Sequence, residues 1–507
     1  MSAPNYLIDT NVFIGLEDQS EVSPNFAALL QLAARHGVGI FIHAAAVDDI
    51  ERDKNVNRRQ VSLSKIKKFQ IIVKVRDLKK DALSAEFGPL SKVNDVVDAT
   101  LLHSLRLGVA DFVITEDRGL HERARRYAPE LADRVLYVAD AVLLLRSSYE
   151  PIDVPLRYVE EVEAHSIPQT DPIFVGLRDD YPGFDQWWRN KCVQPMRKCW
   201  VVVDGGSLSG LVVRKDEHTD DTDARLPGKK ILKICTFKVS PEQRGVKLGE
   251  LLLKQILWFS QSNKYDVVYL TTFARQATLI DLLVYYGFRH TYTKKNEELV
   301  YEKPMGIDAL QPVFGVSSFD LARQNYPRFH LGPSVKAYTI PIQEAFHDAL
   351  FPELADHSQL VLFGNSQPKT PGNTIRKVYL CRAPALMEDP GAVIIFYKGK
   401  SVMRPSQAVT AVGIFEDMTL AYSTEHLRQL AGGRSVYSEV QLKLLDARPE
   451  SPVKVINFLL ARHIVPAVTL QDLRRDKILS AHPQAIASLD VAKTREVLKR
   501  GCMGFEV

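Results

Sequence analysis

Short apolar segments of strand length alternate with longer amphipathic segments over the first 150 residues of the chain. Strand-like segments lie at 6–8, 38–42, 112–115 and 135–138, and helix-like segments lie at 26–34 and 101–109. Strands and helices that alternate in this way form a parallel sheet with helices packed on its faces. The pattern therefore predicts a parallel α/β domain at the start of the chain.

The pattern changes twice further along. Strand-like segments dominate at 200–203, 208–213, 231–239 and 267–271, with a helix between the last two and an acidic hairpin tip or surface loop at 216–223. After residue 306, β-branched runs at 378–380, 392–397 and 408–415 precede helical material at 470–500. A chain of 507 residues also exceeds a single core, because domains average about 150 residues. We predict a multidomain α/β protein with domains at 1–150, 151–306 and 307–507, the first two joined by a linker near 147–155.

Composition narrows the class of protein. The chain is 46% hydrophobic and 25% charged, which is typical of folded proteins and excludes a mainly disordered chain. Its five cysteines are an odd number without the paired spacing of a zinc ribbon, which argues against a disulfide framework and a structural zinc site. There is no window of 18 apolar residues and no basic, apolar leader. We therefore expect a cytoplasmic protein that does not bind membranes.

Basic residues are concentrated in one stretch, although the net charge is only +4. Residues 51–80, called here the basic stretch, contain eleven bases and three acids, an excess of 11 − 3 = 8 positive charges. The bases are Arg52, Lys54, Arg58, Arg59, Lys65, Lys67, Lys68, Lys74, Arg76, Lys79 and Lys80. Such a patch suits the phosphate backbone of a nucleic acid, and a solvated helix face is the alternative.

Acidic residues recur in the first domain where predicted strands end and helices begin. Asp9 follows the first strand, Asp48 and Asp49 open a helix, and Asp117 follows a later strand. A further pair, Asp95 and Asp98, lies one helical turn apart. Open α/β sheets bind ligands at the carboxyl ends of their strands, so this series predicts a site there. The alternative is that Asp9 caps the following helix.

This series resembles the PIN-domain nucleases over about residues 4–146. The resemblance implies four catalytic, metal-binding carboxylates, which are Asp9, Asp49, Asp98 and Asp117. Asp48 or Glu51 could substitute for Asp49, and Asp95 is an additional acid. Four converging carboxylates raise one another's pKa and need a cation, and oxygen ligands suit Mg²⁺ or Mn²⁺. A bound metal would lower the pKa of a water and stabilise charge on the phosphodiester. A metal-free acidic pocket is the alternative.

In the second domain, the strand I-L-K-I-C-T-F-K-V continues through the loop S-P-E-Q-R-G-V-K-L-G into a helix. Free N–H groups at a helix start bind anions, and glycines let a pyrophosphate approach closely. Over about residues 155–305 the sequence resembles the GNAT acyltransferases, which implies a site for acetyl-CoA. The positions implied are Val239, Arg244, Gly245, Lys247 and Gly249.

Two positions depart from the GNAT pattern. Lys247 stands where the loop usually has a glycine, and its charge can serve the pyrophosphate instead. Leu283 stands where many members have the tyrosine that acts as general acid, and Tyr285 and Tyr286 would point elsewhere on the helix. Coenzyme A binding without acetyl transfer and a purely structural domain are therefore the alternatives.

The last domain resembles the PUA-like modules of the ASCH and EVE type, chiefly over residues 360–420, through the segments N-T-I-R-K-V-Y-L-C-R, G-A-V-I-I-F-Y and A-V-G-I-F-E. The resemblance implies binding of RNA or a modified base by aromatic stacking and cationic contacts. The candidates are Arg376, Lys377, Arg382, Phe396 and Tyr397. Neighbouring residues alternate faces on a strand, so we expect one of the two aromatic side chains to lie in the core. An interaction module without nucleic acid is the alternative.

Three functions are compatible with these domains. The first is a metal-dependent ribonuclease, toxin-like or related to RNA stress, that acts on tRNA or mRNA and has a regulatory or antitoxin protein as partner. The second is an acetyltransferase acting on RNA, aminoacyl-tRNA or a protein amine, with the first domain as a binding platform. The third is a non-catalytic nucleic-acid-binding assembly. The series of four acids favours the first, and Leu283 argues against the second.

Overall fold

The structure is a computed structural model that describes residues 4–14, 24–51, 56–72, 79–149, 159–204, 206–240, 247–306, 315–333, 335–354, 375–383, 386–401 and 405–501. The chain divides into two compact units. The first comprises Met1–Val154 with Leu420–Val455, and the second comprises Pro155–Thr419 with Ile456–Val507. A compact unit can hold more than one domain, so the boundaries at residues 150 and 306 stay predictions.

A parallel sheet lies at the centre of the first unit, as the sequence predicts. Its described strands are β1 (Asn5–Ile8), β2 (Gly39–His43), β3 (Gln70–Ile72), β4 (Phe112–Ile114) and β5 (Val135–Leu136). Side chains of β1 alternate between the two faces, so Tyr6 and Ile8 enter one core and Leu7 enters the other. Both faces are therefore apolar, as a parallel sheet covered by helices requires.

The strand order β3-β2-β1-β4-β5 positions the site of this unit. The chain adds β2 and β3 on one side of β1 and then adds β4 and β5 on the other. The crevice where ligands bind in such sheets lies at this reversal, between the carboxyl ends of β1 and β4. The described helices are α1 (Asn11–Ile14), α2 (Pro24–His36), α3 (Ala44–Glu51), α4 (Val56–Ile66), α5 (Lys80–Phe87), α6 (Val93–Arg106), α7 (Arg118–Tyr127) and α8 (Val138–Tyr149).

A mixed sheet begins the second unit. Its described strands are β6 (Glu160–Glu163), β7 (Lys198–Asp204), β8 (Ser207–Glu217), β9 (Ile231–Val239), β10 (Val267–Thr272), β11 (Arg289–Thr293) and β12 (Leu299–Pro304), in the order β11-β12-β10-β9-β8-β7-β6. The accompanying helices are α9 (Val175–Asp180), α10 (Phe184–Trp188), α11 (Leu248–Ser262) and α12 (Ala277–Tyr285). The predicted acidic loop begins later than expected, because Asp216 and Glu217 still pair with β9.

A second mixed sheet follows in the same unit. Its described strands are β13 (Ala337–Ile342), β14 (Arg376–Cys381), β15 (Val393–Lys398), β16 (Ala408–Ala421), β17 (Val453–Thr469) and β18 (Ala487–Leu489), in the order β14-β17-β16-β15-β13-β18. The helices are α13 (Ser318–Gln324), α14 (Glu344–Leu350), α15 (Thr424–Ala431), α16 (Glu439–Leu444), α17 (Leu470–Arg475) and α18 (Val491–Arg500). The predicted helical stretch 470–500 is wrong in its middle, since β18 pairs antiparallel with β13 there. None of the described helices is both long and apolar enough to cross a bilayer.

The two mixed sheets of the second unit share one hydrophobic core. Trp200 and Leu252, from the first of these sheets and its helix α11, belong to the same buried cluster as Ile395 and Ile414 of the other sheet. Burial of apolar surface is the main favourable term in folding, so a shared core makes the two sheets stabilise each other.

Residues 420–455, called here the inserted segment, leave β16 and return at β17 after packing on the first unit. Arg428 forms a buried, two-pronged ion pair with Glu439 (2.8 and 3.0 Å), and its guanidinium lies 3.7 Å from Asp111. Gln429 donates to the same aspartate (3.2 Å), and Arg434 pairs with Asp133. Both aspartates precede strands, β4 and β5 respectively, so the inserted segment contacts the amino edge of the parallel sheet and leaves the carboxyl edge to other residues.

Candidate functional site

Asp9 and Thr115 lie side by side at the carboxyl edge of the parallel sheet. Asp9 directly follows β1 and Thr115 directly follows β4, and the Asp9 amide donates to the carbonyl of Ile114 (2.9 Å). Oδ2 of Asp9 accepts hydrogen bonds from Thr115 Oγ1 (2.7 Å) and Asn11 Nδ2 (2.8 Å). The predicted position of Asp9 at the carboxyl edge of the sheet is therefore correct, and its carboxylate is oriented by two neighbouring polar side chains.

Two further predicted acids lie near Asp9. Burial raises the pKa of Asp9 to about 6 and that of Asp98, on α6, to about 7. The charges of Asp9 and Asp117 contribute to the shift at Asp98. Asp117 also caps α7, since its Oδ1 accepts from the Gly119 amide (2.7 Å). The structure thus brings three of the four predicted acids within electrostatic range of one another.

An arginine that sequence reasoning missed lies among these acids. Arg123 on α7 pairs with Asp95 (2.8 Å) and places its Nε 3.8 Å from Oδ2 of Asp98. A hydrogen bond from the Lys92 amide and the Arg123 charge hold the pKa of Asp95 below its usual value. The helix R-G-L-H-E-R-A-R-R-Y contains several arginines, and no pattern in the sequence distinguishes the one that faces inward.

The described acids do not fit a divalent metal centre. Mg²⁺ needs oxygens that converge at about 2.0–2.1 Å, whereas one oxygen of Asp9 (Oδ2) and one of Asp117 (Oδ1) already accept short hydrogen bonds from the protein. Within the described part of the chain, no three His, Cys, Asp or Glu side chains are grouped to hold a metal ion. Asp49 lies on α3, and its side chain is outside the described residues. Binding of Mg²⁺ or Mn²⁺ stays a prediction from the resemblance alone.

Part of the basic stretch can be located. Lys67 and Lys68 after α4, and Lys79 and Lys80 at the start of α5, have exposed side chains. Outside the described residues are Arg52, Lys54, Lys74 and Arg76, together with the side chains of Arg58 and Lys65. The located lysines are accessible to a phosphate backbone, and nucleic-acid binding by this stretch stays a prediction.

The second unit contains an opening between two parallel strands. Strands β9 and β10 pair from Ile231↔Val267 to Ile234↔Leu270, after which β9 continues to Val239 without β10 alongside it. On its other edge, β9 remains paired with β8 as far as Gly210↔Val239. The stretch 235–239, called here the open edge, therefore has one row of backbone groups not paired with β10. Such an edge can accept an added extended chain.

A helix begins just beyond this opening. Lys247 precedes α11 with a positive φ of 52°, so it adopts the left-handed conformation that the glycine of the family pattern usually supplies. Gly249 lies in the first turn, where a Cβ would stand 3.4 Å from Leu282 of α12. The predicted residues Val239, Lys247 and Gly249 thus lie at the end of β9 and the start of α11, whereas Arg244 and Gly245 lie outside the described residues.

Partly buried apolar side chains lie on β9 and on α12. Phe237 and Val239 of β9 and Leu279, Ile280 and Leu282 of α12 pack against the core without being fully buried. Their accessible parts are apolar surface that a ligand could cover.

Among the described residues, the two tyrosines next to Leu283 are engaged in other contacts. Leu283 is fully buried, and the Tyr286 hydroxyl donates to Oε1 of Glu250 (2.7 Å). Burial holds the pKa of Tyr286 well above its usual value. The Tyr285 ring contacts the guanidinium of Arg323, whose carbon lies 4.4 Å from the ring centroid. The Tyr286 hydroxyl is thus directed at Glu250 in the first turn of α11, and the expectation that it points away from the site stays a prediction.

The candidate residues of the PUA-like module are mostly engaged within the protein. Phe396 and Tyr397 are both 0% exposed, so the expectation that only one of them lies in the core is wrong. The two rings do lie on opposite faces, Tyr397 in the core shared by the two mixed sheets and Phe396 against Phe351 and Phe458, and both faces of β15 are covered. Arg376 pairs with Glu416 (2.6 Å), and burial lowers the pKa of Lys377 to about 7. Of the five, Arg382 is exposed.

Comparison with known proteins gives no family for the chain. No protein-family model matches the sequence, and no curated protein matches it significantly. Solved structures similar to parts of the chain include a mutant ASCH protein from Zymomonas mobilis (18% identity, 33% of this chain and 98% of that one, TM-score 0.24). They also include a putative acyl-CoA N-acyltransferase from Klebsiella pneumoniae (16%, 29% and 98%, TM-score 0.22) and a putative GNAT-family acetyltransferase from Desulfovibrio desulfuricans (12%, 29% and 99%, TM-score 0.23). At TM-scores of this size, we base the function on the geometry alone.

Proposed function

We propose that the first mixed sheet of the second unit binds acetyl-CoA at the opening between β9 and β10 and transfers its acetyl group. The observation that carries the proposal is the open edge at 235–239, which leads toward the start of α11. The pantetheine arm of coenzyme A is an extended chain with two amides. The open edge offers backbone donors and acceptors that can pair with those amides as an added strand would.

The phosphates of coenzyme A would bind at the start of α11. The first amides of a helix lack intrahelical partners and carry partial positive charge, which favours an anion such as a pyrophosphate. Lys247 adds a full positive charge at this position, and its left-handed backbone provides the turn without a glycine. The partly buried apolar side chains Phe237, Leu279 and Ile280 are candidates to contact the aliphatic part of the arm.

Transfer of the acetyl group releases a thiolate that must be protonated. Bound acetyl-CoA would supply an activated acetyl carbon as a thioester. Leu283 cannot protonate the departing thiolate, and the Tyr286 hydroxyl is held by Glu250. The leaving sulfur would therefore take its proton from the acceptor or from solvent, and we expect transfer to be slower than in an enzyme with a placed acid.

A charge reversal at one end of α11 tests the proposal. Lys247→Glu places a negative charge where the pyrophosphate would bind, and calorimetry should show acetyl-CoA affinity falling at least about tenfold, or ~1.4 kcal/mol. Lys264→Glu is the matched control, because Lys264 also has a positive φ (56°) and follows the opposite end of the same helix. Equal affinity in both variants and wild type, or no binding of acetyl-CoA by the wild type, would contradict the proposal.

Metal-dependent cleavage is not proposed for the first unit, because its described donors do not fit a divalent ion. Binding of tRNA or mRNA, and a regulatory or antitoxin partner, remain predictions from the resemblance to PIN nucleases. Incubation of the full chain with total RNA and Mn²⁺ or Mg²⁺, with and without chelator, tests cleavage directly. Chelator-sensitive cleavage that Asp9→Asn abolishes would establish it.

A further inference from the structure

Arg123 is held at the acidic carboxyl edge of the parallel sheet by several elements at once. Its Nη1 donates to the carbonyls of Phe87 (2.9 Å) and Pro89 (3.0 Å), just after α5. Its Nη2 pairs with Asp95 on α6 at 2.8 Å. The side chain is only 11% exposed. A guanidinium anchored in this way has little freedom to leave its position.

The fixed positive charge of Arg123 is a cation placed beside the acids. Carboxylates packed together repel one another and need a nearby cation. The guanidinium lies 2.8 Å from Asp95 and 3.8 Å from Asp98, so its single positive charge offsets part of the negative charge of the two acids that α6 contributes. A divalent ion bound at Asp98 would be placed next to this positive charge, and the two cations would repel each other.

One oxygen of each remaining acid is also engaged. Oδ2 of Asp9 accepts from Thr115 and Asn11, and Oδ1 of Asp117 accepts from the amide of Gly119 at the start of α7. These bonds orient the carboxylates toward the protein's own donors. A cation would have to share the two carboxylates with those donors.

We propose that Arg123 is the permanent counter-ion of this edge, and that the edge takes no divalent cation at Asp98 while Arg123 is in place. The Arg123 guanidinium would thus take the role that the resemblance to PIN nucleases assigns to a metal ion. Removal of Arg123 then exposes uncompensated carboxylates, and these bind a divalent cation.

Titration of the full-length protein with Mn²⁺, followed by the electron paramagnetic resonance of the free ion, tests the proposal. Wild type should show no saturable site that depends on Asp98. Arg123→Gln should bind one Mn²⁺ at least about tenfold more tightly than wild type, and the added substitution Asp98→Asn should abolish that gain. Arg126→Gln, an exposed arginine on the same helix, is the matched control and should behave as wild type.

Two outcomes would overturn the proposal. One is Mn²⁺ binding by wild type that Asp98→Asn weakens. The other is a folded Arg123→Gln protein, with a wild-type circular dichroism spectrum, that binds no Mn²⁺. If Arg123→Gln does not fold, the comparison of wild type with Asp98→Asn still decides whether the edge holds a metal while Arg123 is present.

Discussion

Thr115 donates a hydrogen bond of 2.7 Å to Asp9 from a position 106 residues away in the chain. The bond forms because β1 and β4 are parallel neighbours that end at the same edge of the sheet. It stabilises the charged form of a buried carboxyl and so opposes the effect of burial on the pKa of Asp9. Two residues that are distant in sequence therefore determine the charge state of the candidate site together.

Thr115→Val should raise the pKa of Asp9 above its present value of about 6. Valine keeps the shape of threonine but removes the donor, and a lost hydrogen bond to a buried carboxylate shifts its pKa by about one unit. Carbon-13 NMR titration of the aspartate carboxyls measures the change. An unaltered titration of Asp9 would show that the Thr115 hydroxyl does not stabilise its charged form.

Asp98→Asn should change how stability depends on pH. The ordinary pKa of 3.8 is raised to about 7 in the folded protein, so the folded state binds more protons than the unfolded state between these values. The stability that Asp98 contributes is complete below pH 3.8 and is lost as the pH rises through 7. The variant should match wild type near pH 4 and exceed it by roughly 4 kcal/mol at pH 8.

Calorimetric unfolding at the two pH values checks this sign. Asp81→Asn, an exposed acid in α5, is the control and should differ little between them. Loss of stability in Asp98→Asn at pH 8 would show instead that the ion pair with Arg123 outweighs the cost of burying the carboxylate.

Gly287→Ala should destabilise the second unit severely. Gly287 has a φ of 86°, and a Cβ there would lie 1.9 Å from the carbonyl oxygen of Gln324. We expect a loss of more than about 3 kcal/mol, because both backbone strain and a clash with fixed backbone contribute. Gly206→Ala separates the two effects, since its φ is 84° and nothing lies within 4 Å of the added Cβ. Similar losses in both variants would mean that strain alone acts.

Arg428→Ala should weaken the attachment of the inserted segment. Both Arg428 and Glu439 are buried, and removal of one partner leaves an uncompensated carboxylate at a cost of about 3–5 kcal/mol. Arg448→Ala breaks an exposed pair with Asp446 in the same segment and should leave the stability nearly unchanged. Hydrogen exchange in α15 and α16 measures the effect. Protection that is equally high in both variants would refute the role assigned to Arg428.

Replacement of Lys67 and Lys68 by glutamine should flatten the salt dependence of RNA binding. Each lost phosphate contact reduces the logarithmic slope by roughly 0.7 on single-stranded RNA. Lys443→Gln, an exposed lysine of α16, should leave the slope unchanged. The basic stretch would be a solvated face if all three proteins gave the same slope.

Local patterns predicted much of this fold. The expected strand 231–239 matches β9 residue for residue, and the acids of the first unit lie at the edge that parallel pairing requires. The positions of this strand and of these acids follow from a short apolar run and the residue after it, which are local features of the sequence.

What escaped prediction depends on distant contacts. Nothing in T-E-H-L-R-Q-L-A indicates that Arg428 is buried against Glu439 and Asp111, since an amphipathic helix can cover many surfaces. In the same way, the arginines of α7 look alike until the neighbouring helices are present, so the role of Arg123 could not be anticipated. In both cases the sequence does not show which charged side chain is buried.

The discontinuous first unit limits how this protein can be divided for experiments. A fragment that stops at residue 154 retains all five strands of the parallel sheet, yet it lacks the cations that face Asp111 and Asp133. The complementary fragment would contain α15 and α16 without the surface on which they pack. Arg428 and Leu427, which are buried in the full chain, would then be exposed to solvent. A protease cut in the stretch between α8 and β6 would break the peptide bond but not this association. The two pieces should therefore migrate together on a sizing column until a denaturant separates them.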